Sequence, residues 1–472
     1  MTDMKQLPNK VWGNFSAGLV GRLASQSISF ILVVYLARVL GPASYGDLSL
    51  VLAVVSYFNL LATFGLPVVG TREAARAQNN ASSISQIFSL RICLAVLAVF
   101  LLFIYGYFFV ADNRLFYLFL LYGLTVLSSA WLLDWAFVGL EDLRSLAVAN
   151  VAGSLCSCIF IVLSVQNTAD IFYIPAGIFT GAALSGAILL YLFRKIHSLH
   201  LRFTTNNWRT LLKVSMPFAV TGGLSQIYEN FDMLMLGVMV GPQDVGWYSV
   251  AYKIVVVLSG IIGIYSQSTL PVMIRLRENS PQLMGGFLKQ NIHITLFFMM
   301  PIVTGGTILG NKIIETFFGQ AYLQATTPFV LLLYYVFLMA LSITLANWLL
   351  AVNEDKRYMV TLIMGAIINV IANLLLIPLW KAAGAATAMI IAELFIVCFL
   401  ATKVKALYQD DWVEKRFIFI SAGSCIVMSF CLFILQKLFL LHVGILIIAG
   451  AIIYICLSWP CCARFIRRTI TE

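Results

Sequence analysis

The chain has 472 residues, of which 61% are hydrophobic and 11% charged. Soluble domains carry roughly 25% charged residues, so this composition, with a mean hydropathy of +0.95, excludes a soluble globular protein and points to a polytopic membrane protein. The net charge of +10 comes with no nucleic-acid-binding motif, so it is read as cytoplasmic loop charge and nucleic acid is not an expected partner.

Crossing a bilayer takes about 20 apolar residues. The first six expected spans cover 15–37, 46–66, 88–110, 115–138, 146–166 and 171–193. Six more cover 214–239, 246–270, 290–309, 326–351, 358–379 and 383–402, and a last pair covers 417–437 and 440–460. The expected fold is all-α, with about 14 transmembrane helices in two six-helix lobes related by an internal repeat, plus two C-terminal helices. The lobes are an N-lobe over 1–193 and a C-lobe over 214–403. A cytoplasmic linker over 194–213 joins them, and 404–472 holds the additional pair and a cytoplasmic tail.

With the N-terminus inside, inside segments hold 23 Lys and Arg and outside segments hold 5. That bias supports an even span count with both termini cytoplasmic. The long polar stretches 194–213 and 403–416 then lie inside, the first as a candidate membrane-surface segment. The outside loops are short. No cleavable signal peptide is expected, because the first apolar run is long enough to span and many follow it.

Gly41-Pro42, Gly46 and Ser49 recur as Gly241-Pro242, Gly246 and Ser249, and Ser25-Gln26 recurs as Ser225-Gln226, all 200 residues on. Matched segments in two halves are a mark of two-lobed transporters. Six ionisable residues fall within spans: Arg22, Asp134, Glu229, Asp232, Lys253 and Glu393. Each costs about 2.5–3.5 kcal/mol facing lipid at mid-membrane, so they face one another or a wet cavity. Gly18, Arg22, Ser25, Gln26 and Ser29 share one helical face of the first span, and Ser225, Glu229 and Asp232 form the matching face of the seventh. Two readings stay open: charges paired as structural glue, Lys253 with Asp232 or Glu229 among them, or charges lining a central cavity between the halves. Asn369, Asn373 and Asn150 are read as interhelical bridges, and Tyr228, Tyr248 and Tyr252 as neighbours of the charges.

No catalytic or metal constellation stands out. There is no Walker-type loop, and His197, His200, His293 and His442 form no HExxH. Cys93, Cys156, Cys158, Cys398, Cys425, Cys431 and Cys456 sit in apolar runs as small hydrophobes, and Cys461-Cys462 has no partner at zinc spacing. No cofactor or metal is expected, and the chain is read as a transporter rather than an enzyme.

The stretch YLARVLGPASYGDLSLVLAVVSYFNLLATFGLPVVGTREAAR resembles the N-terminal signature of the Wzx-type polysaccharide-transport flippases. Their superfamily, MOP, also holds the MATE exporters and the lipid II flippase. DMLMLGVMVGPQDVGWYSVAYKI and INVIANLLLIPLWKAAGAATAMIIAE resemble its second-half signatures, and the likeness covers residues 10 to 403. One departure is clear: the usual glycine-bearing YG.xGAA reads Trp380-Lys381-Ala382-Ala383-Gly384-Ala385-Ala386. The resemblance implies a V-shaped flippase for an undecaprenyl-pyrophosphate-linked oligosaccharide in O-antigen, capsule or exopolysaccharide synthesis. It would sit in the bacterial cytoplasmic (inner) membrane, with the bilayer, the polysaccharide polymerase and the chain-length regulator as partners. Arg22, Lys253, Gln26 and Tyr252 become expected substrate-binding residues, and Glu229, Asp232, Asp134 and Glu393 candidates for ion coupling. Acids outnumber bases four to two within the spans, so Arg38, Arg72, Arg76, Arg91 and Arg275 near span ends are considered as further cations. Alternatives are an ion-coupled multidrug antiporter of the same fold, which would use the acids, and a membrane glycan polymerase or ligase, which needs a large outer loop.

Overall fold

Gly41 (φ 69°, ψ 171°) and Gly241 (φ 132°, ψ 175°) adopt a backbone conformation open essentially only to glycine. A proline follows each and supplies a preset φ for the next helix, so both GP turns send the chain directly into a new helix. The computed structural model describes residues 7–76, 81–110, 112–196, 202–408, 412, 414–438 and 442–471. All long elements among these are α-helices. Contacts divide the chain into two compact units, Met1–Leu234 and Met235–Glu472.

The first unit holds α1 (Leu7–Thr63), α2 (Leu66–Arg76), α3 (Ala81–Phe109), α4 (Asn113–Trp131), α5 (Asp134–Gly139), α6 (Leu143–Ser164), α7 (Tyr173–Ile196) and most of α8 (Trp208–Met239). The second holds α9 (Pro242–Asn279), α10 (Pro281–Phe318), α11 (Thr326–Ala351), α12 (Asp355–Leu407), α13 (Lys415–Leu438) and α14 (Val443–Thr471).

Among the described residues, ten helices are long and apolar enough to cross a membrane. Two of them, α1 and α12, run to 57 and 53 residues, far beyond the roughly 30 Å a bilayer core needs. Each is broken by a non-helical residue, Gly41 in α1 and Lys381 in α12, into two arms. Among the described residues α8 is not one of the ten; it carries Arg209, Lys213, Glu229 and Asp232. The apolar part of α14, Val443–Trp459, is shorter than the ten.

Small residues set helix distances in both units, as they do in lipid, where water drives no association. A Cβ on Gly153 or Gly181 would lie 2.6 or 2.5 Å from the other's carbonyl oxygen, so α6 and α7 touch backbone to backbone. Ser185 Oγ donates to Asn150 Oδ1 at 3.1 Å across the same pair, the bridge expected of Asn150. Gly18 and Gly21 pack α1 against Leu143 and Ala147 of α6. Gly18 therefore belongs to a packing face, not to the polar face where the spacing had placed it. Leu66, Ile84, Ile87, Trp135, Phe137 and Phe193 centre one apolar core, and Met273, Leu288, Leu345, Leu349 and Leu400 centre another in the second unit.

Candidate functional site

On α1, Arg22, Gln26 and Ser29 form an exposed polar strip beside the α6 contact. Ser29 Oγ donates to the Ser25 carbonyl at 2.9 Å. Ser25 Oγ is buried and has no hydrogen-bond partner among the described residues. Among the described residues Arg22 has no hydrogen-bond or ion-pair partner. The guanidinium is thus held by an anchored helix and left open to an anion.

On α8, Glu229 and Asp232 are three residues apart yet differ in environment. Glu229 is exposed, whereas Asp232 is 1% exposed. Tyr57 of the second α1 arm lies within reach of the Asp232 charge, and its hydroxyl donates to the Gln226 carbonyl at 3.2 Å. Asn230 Nδ2 donates to Gln226 Oε1 at 2.8 Å. The acidic face foreseen on this helix is therefore graded, with one carboxylate open and one enclosed.

In the second unit Lys253 and Tyr252 of α9 are half-buried. Among the described residues Lys253 also has no hydrogen-bond or ion-pair partner. Tyr248 stacks on Tyr252 with centroids 6.0 Å apart and its hydroxyl donates to Met389 Sδ at 3.1 Å, so Tyr248 is a core residue. Glu393 of α12 is 3% exposed and accepts from Ser342 Oγ of α11. Asn373 Nδ2 donates to the Asn369 carbonyl and Oδ1 at 3.0 and 3.1 Å, two bonds within α12.

Arg91 does not join the open cations. It is 4% exposed in α3, where Nη1 donates to the Leu132 carbonyl at 2.8 Å and Nη2 to the Ser129 carbonyl at 2.5 Å. Those carbonyls end α4, whose chain leaves the helix at Leu132 before α5 starts at Asp134. A broken helix in lipid needs its freed carbonyls satisfied, and the planar guanidinium bridges two of them. Asp134 is close enough to feel the Arg91 charge. The charge that acts on it thus belongs to another helix, while its Oδ1 is buried with no hydrogen-bond partner among the described residues.

Two features were missed in the sequence. Asn347 Nδ2 of α11 reaches Ser266 Oγ at 2.9 Å and Thr269 Oγ1 at 3.2 Å on α9, while Tyr265 OH donates to Asn291 Oδ1 at 2.5 Å. These neutral groups sit inside apolar stretches, and only their apposition marks them. An apolar groove of about 500 Å³ runs among α9, α10, α11, α13 and α14, lined by Phe297, Pro301, Gly305, Leu333, Met428 and Ile447 among others. No group of three or more His, Cys, Asp or Glu fit to hold a metal occurs among the described residues. His197 and His200, and the side chains of Cys461 and Cys462, lie outside what the structure describes.

The polysaccharide biosynthesis protein family matches residues 11–277, more than half of the chain. The chain belongs to this family. A Shigella dysenteriae protein named as an O-antigen transporter is 25% identical over 398 residues, covering 81% of this chain and 97% of that protein. The lipid II flippase MurJ of Bacillus subtilis is 25% identical over 304 residues, covering 58% of this chain and 56% of MurJ. Among solved structures, an inward-closed MurJ aligns with a TM-score of 0.74 at 18% identity, covering 96% of this chain and 99% of that chain. An inward-facing MATE multidrug transporter aligns at 0.65 and 13% identity, covering 84% and 99%. The fold is like that of MurJ and the MATE transporters, and the chain is a multi-pass membrane protein of a polysaccharide flippase-type transporter family. The relatives it matches are transporters and flippases rather than enzymes.

Proposed function

We propose that this polysaccharide transporter is a flippase for an undecaprenyl-pyrophosphate-linked oligosaccharide, moving each unit from the cytoplasmic to the outer leaflet by alternating access. The observation that carries this reading is the pair of cations, Arg22 in one unit and Lys253 in the other, that have no partner among the described residues, each on an apolar helix long enough to span. Desolvated cations hold phosphate oxygens through charge-assisted hydrogen bonds. Gln26 and Tyr252, one turn along from Arg22 and beside Lys253, would meet the sugars. The apolar groove reaching α13 and α14 has the character an isoprenoid chain needs.

The fourteen-span map, the six-plus-six repeat with its lobe boundaries at 193 and 214, the inner-membrane location and the inside termini belong to the same proposal. So do contacts with the polysaccharide polymerase and chain-length regulator. A cation-exporting antiporter is the competing reading, favoured by the four span carboxylates against two bases.

The test is glycan display in cells. Arg22→Ala and Lys253→Ala are each expected to abolish surface polysaccharide while the protein still inserts, and Arg22→Lys to restore it only in part, because lysine lacks the planar fork. Normal surface glycan in both alanine variants would reject the reading and favour the antiporter.

A further inference from the structure

The connector between the core and the last helix pair reads in sequence as a polar loop. Its described residues are instead fastened to one stripe of α10. Gly285, Lys289 and His293 follow at i, i+4 and i+8 and so share a face. Tyr408 lies on Gly285, where a Cβ would collide with its phenol. Lys289 Nζ meets Glu414 Oε1 at 3.3 Å. His293 is 3% exposed, and its Nδ1 lies 2.6 Å from the Lys289 carbonyl. That bond assigns the proton to Nδ1 and leaves Nε2 as an acceptor, which the Glu414 N–H fills at 3.2 Å. This N–H is one of the orphan donors at the start of α13, so α10 caps α13 from outside it. Phe417 sets its ring at 90° to the imidazole, 4.5 Å between centroids.

We propose that this stripe of α10 is a clamp that fixes the C-terminal helix pair to the second unit and sets the width of the apolar groove. Its role toward a lipid-linked cargo rests on the function proposed above. The clamp works at one end of the groove, and α10 and α13 meet again within it, where a Cβ on Gly305 would lie 3.9 Å from the Met428 methyl. An α13 freed at its first turn pivots about that second contact and changes the space between Phe297 and Ile447.

The test uses full-length protein in detergent and chymotrypsin, which cleaves after Tyr408 and Trp412. Lys289→Glu, Glu414→Lys and His293→Leu should each speed cleavage in the connector roughly two- to fivefold, the effect of losing one polar pair on a local opening. The double swap Lys289→Glu/Glu414→Lys should return protection, which general misfolding would not. In vesicles the single variants should slow flipping of a lipid-linked oligosaccharide, and the swap should recover it. Unchanged proteolysis in all variants overturns the clamp, and faster proteolysis with unchanged flipping overturns its role in transport. A parent that flips no lipid-linked glycan refutes the function proposed above, while proteolysis still decides the clamp.

Discussion

Arg91 shows how far a single charge can be misread from its position in the chain. Near the end of an apolar run, an arginine looks like a loop charge answering to the positive-inside bias. What places it inside is the break after Leu132, and the local sequence LLDW contains neither glycine nor proline to announce a break. For Arg22 and Lys253 the sequence left pairing and an open cavity as two readings; their own spans offer no anion, and the structure supplies no hydrogen-bond or ion-pair partner for either among the described residues. Arg91→Leu leaves two buried carbonyls unpaired, at about 1–3 kcal/mol each. It should lower the melting temperature and the folded yield in detergent. Arg91→Lys should rescue only partly, since an ammonium cannot span Ser129 and Leu132 in one plane. A fully stable Arg91→Leu protein would mean that the break finds other donors.

Among the elements, both GP turns were readable because glycine and proline carry fixed backbone meanings. The turn between the arms of α12 was readable from the gap between the expected spans 358–379 and 383–402, and the family pattern usually carries glycine where this chain has Lys381. The structure explains the departure without removing its cost. Lys381 sits at φ 51°, ψ −126°, a strained conformation for a residue with a Cβ. Asp244, 9% exposed at the start of α9, lies near the Lys381 charge and accepts from the Ala382 N–H. Strain of this kind costs about 1–3 kcal/mol, whereas attraction between the exposed Lys381 ammonium and Asp244 returns about 0–1 kcal/mol. Lys381→Gly should therefore raise the thermal midpoint of the purified protein. A lower midpoint would show that the Asp244 contact outweighs the backbone strain. The clamp on α10 was illegible for a different reason: its partners are over a hundred residues apart, and His293 is unremarkable until Glu414 is set against it.

At the scale of the whole molecule, composition and loop charge were enough to establish a multi-pass membrane protein, because the bilayer tolerates few alternatives. The family match and the fold likeness agree with that reading. The division of labour among buried charges was not legible, since burial depends on which helix faces which. Glu229 is exposed and Asp232 is enclosed beside Tyr57, so the two carboxylates of α8 have different surroundings. If these two couple transport to protons, collapsing an imposed pH gradient should slow the parent and leave Glu229→Gln or Asp232→Asn unaffected. A parent rate indifferent to the gradient would remove proton coupling from this helix.

Flipping itself is the most direct measurement. The purified protein would be reconstituted into liposomes carrying a fluorescent undecaprenyl-pyrophosphate-linked oligosaccharide in both leaflets, and a membrane-impermeant quencher of the glycan label would be added outside. Protein-free liposomes lose only the outer half of the signal. With the parent protein, quenching should proceed well past half, and with the Arg22→Ala/Lys253→Ala double variant it should stop near half. Quenching that stops near half with the parent protein as well would contradict the assignment of a lipid-linked oligosaccharide as the cargo.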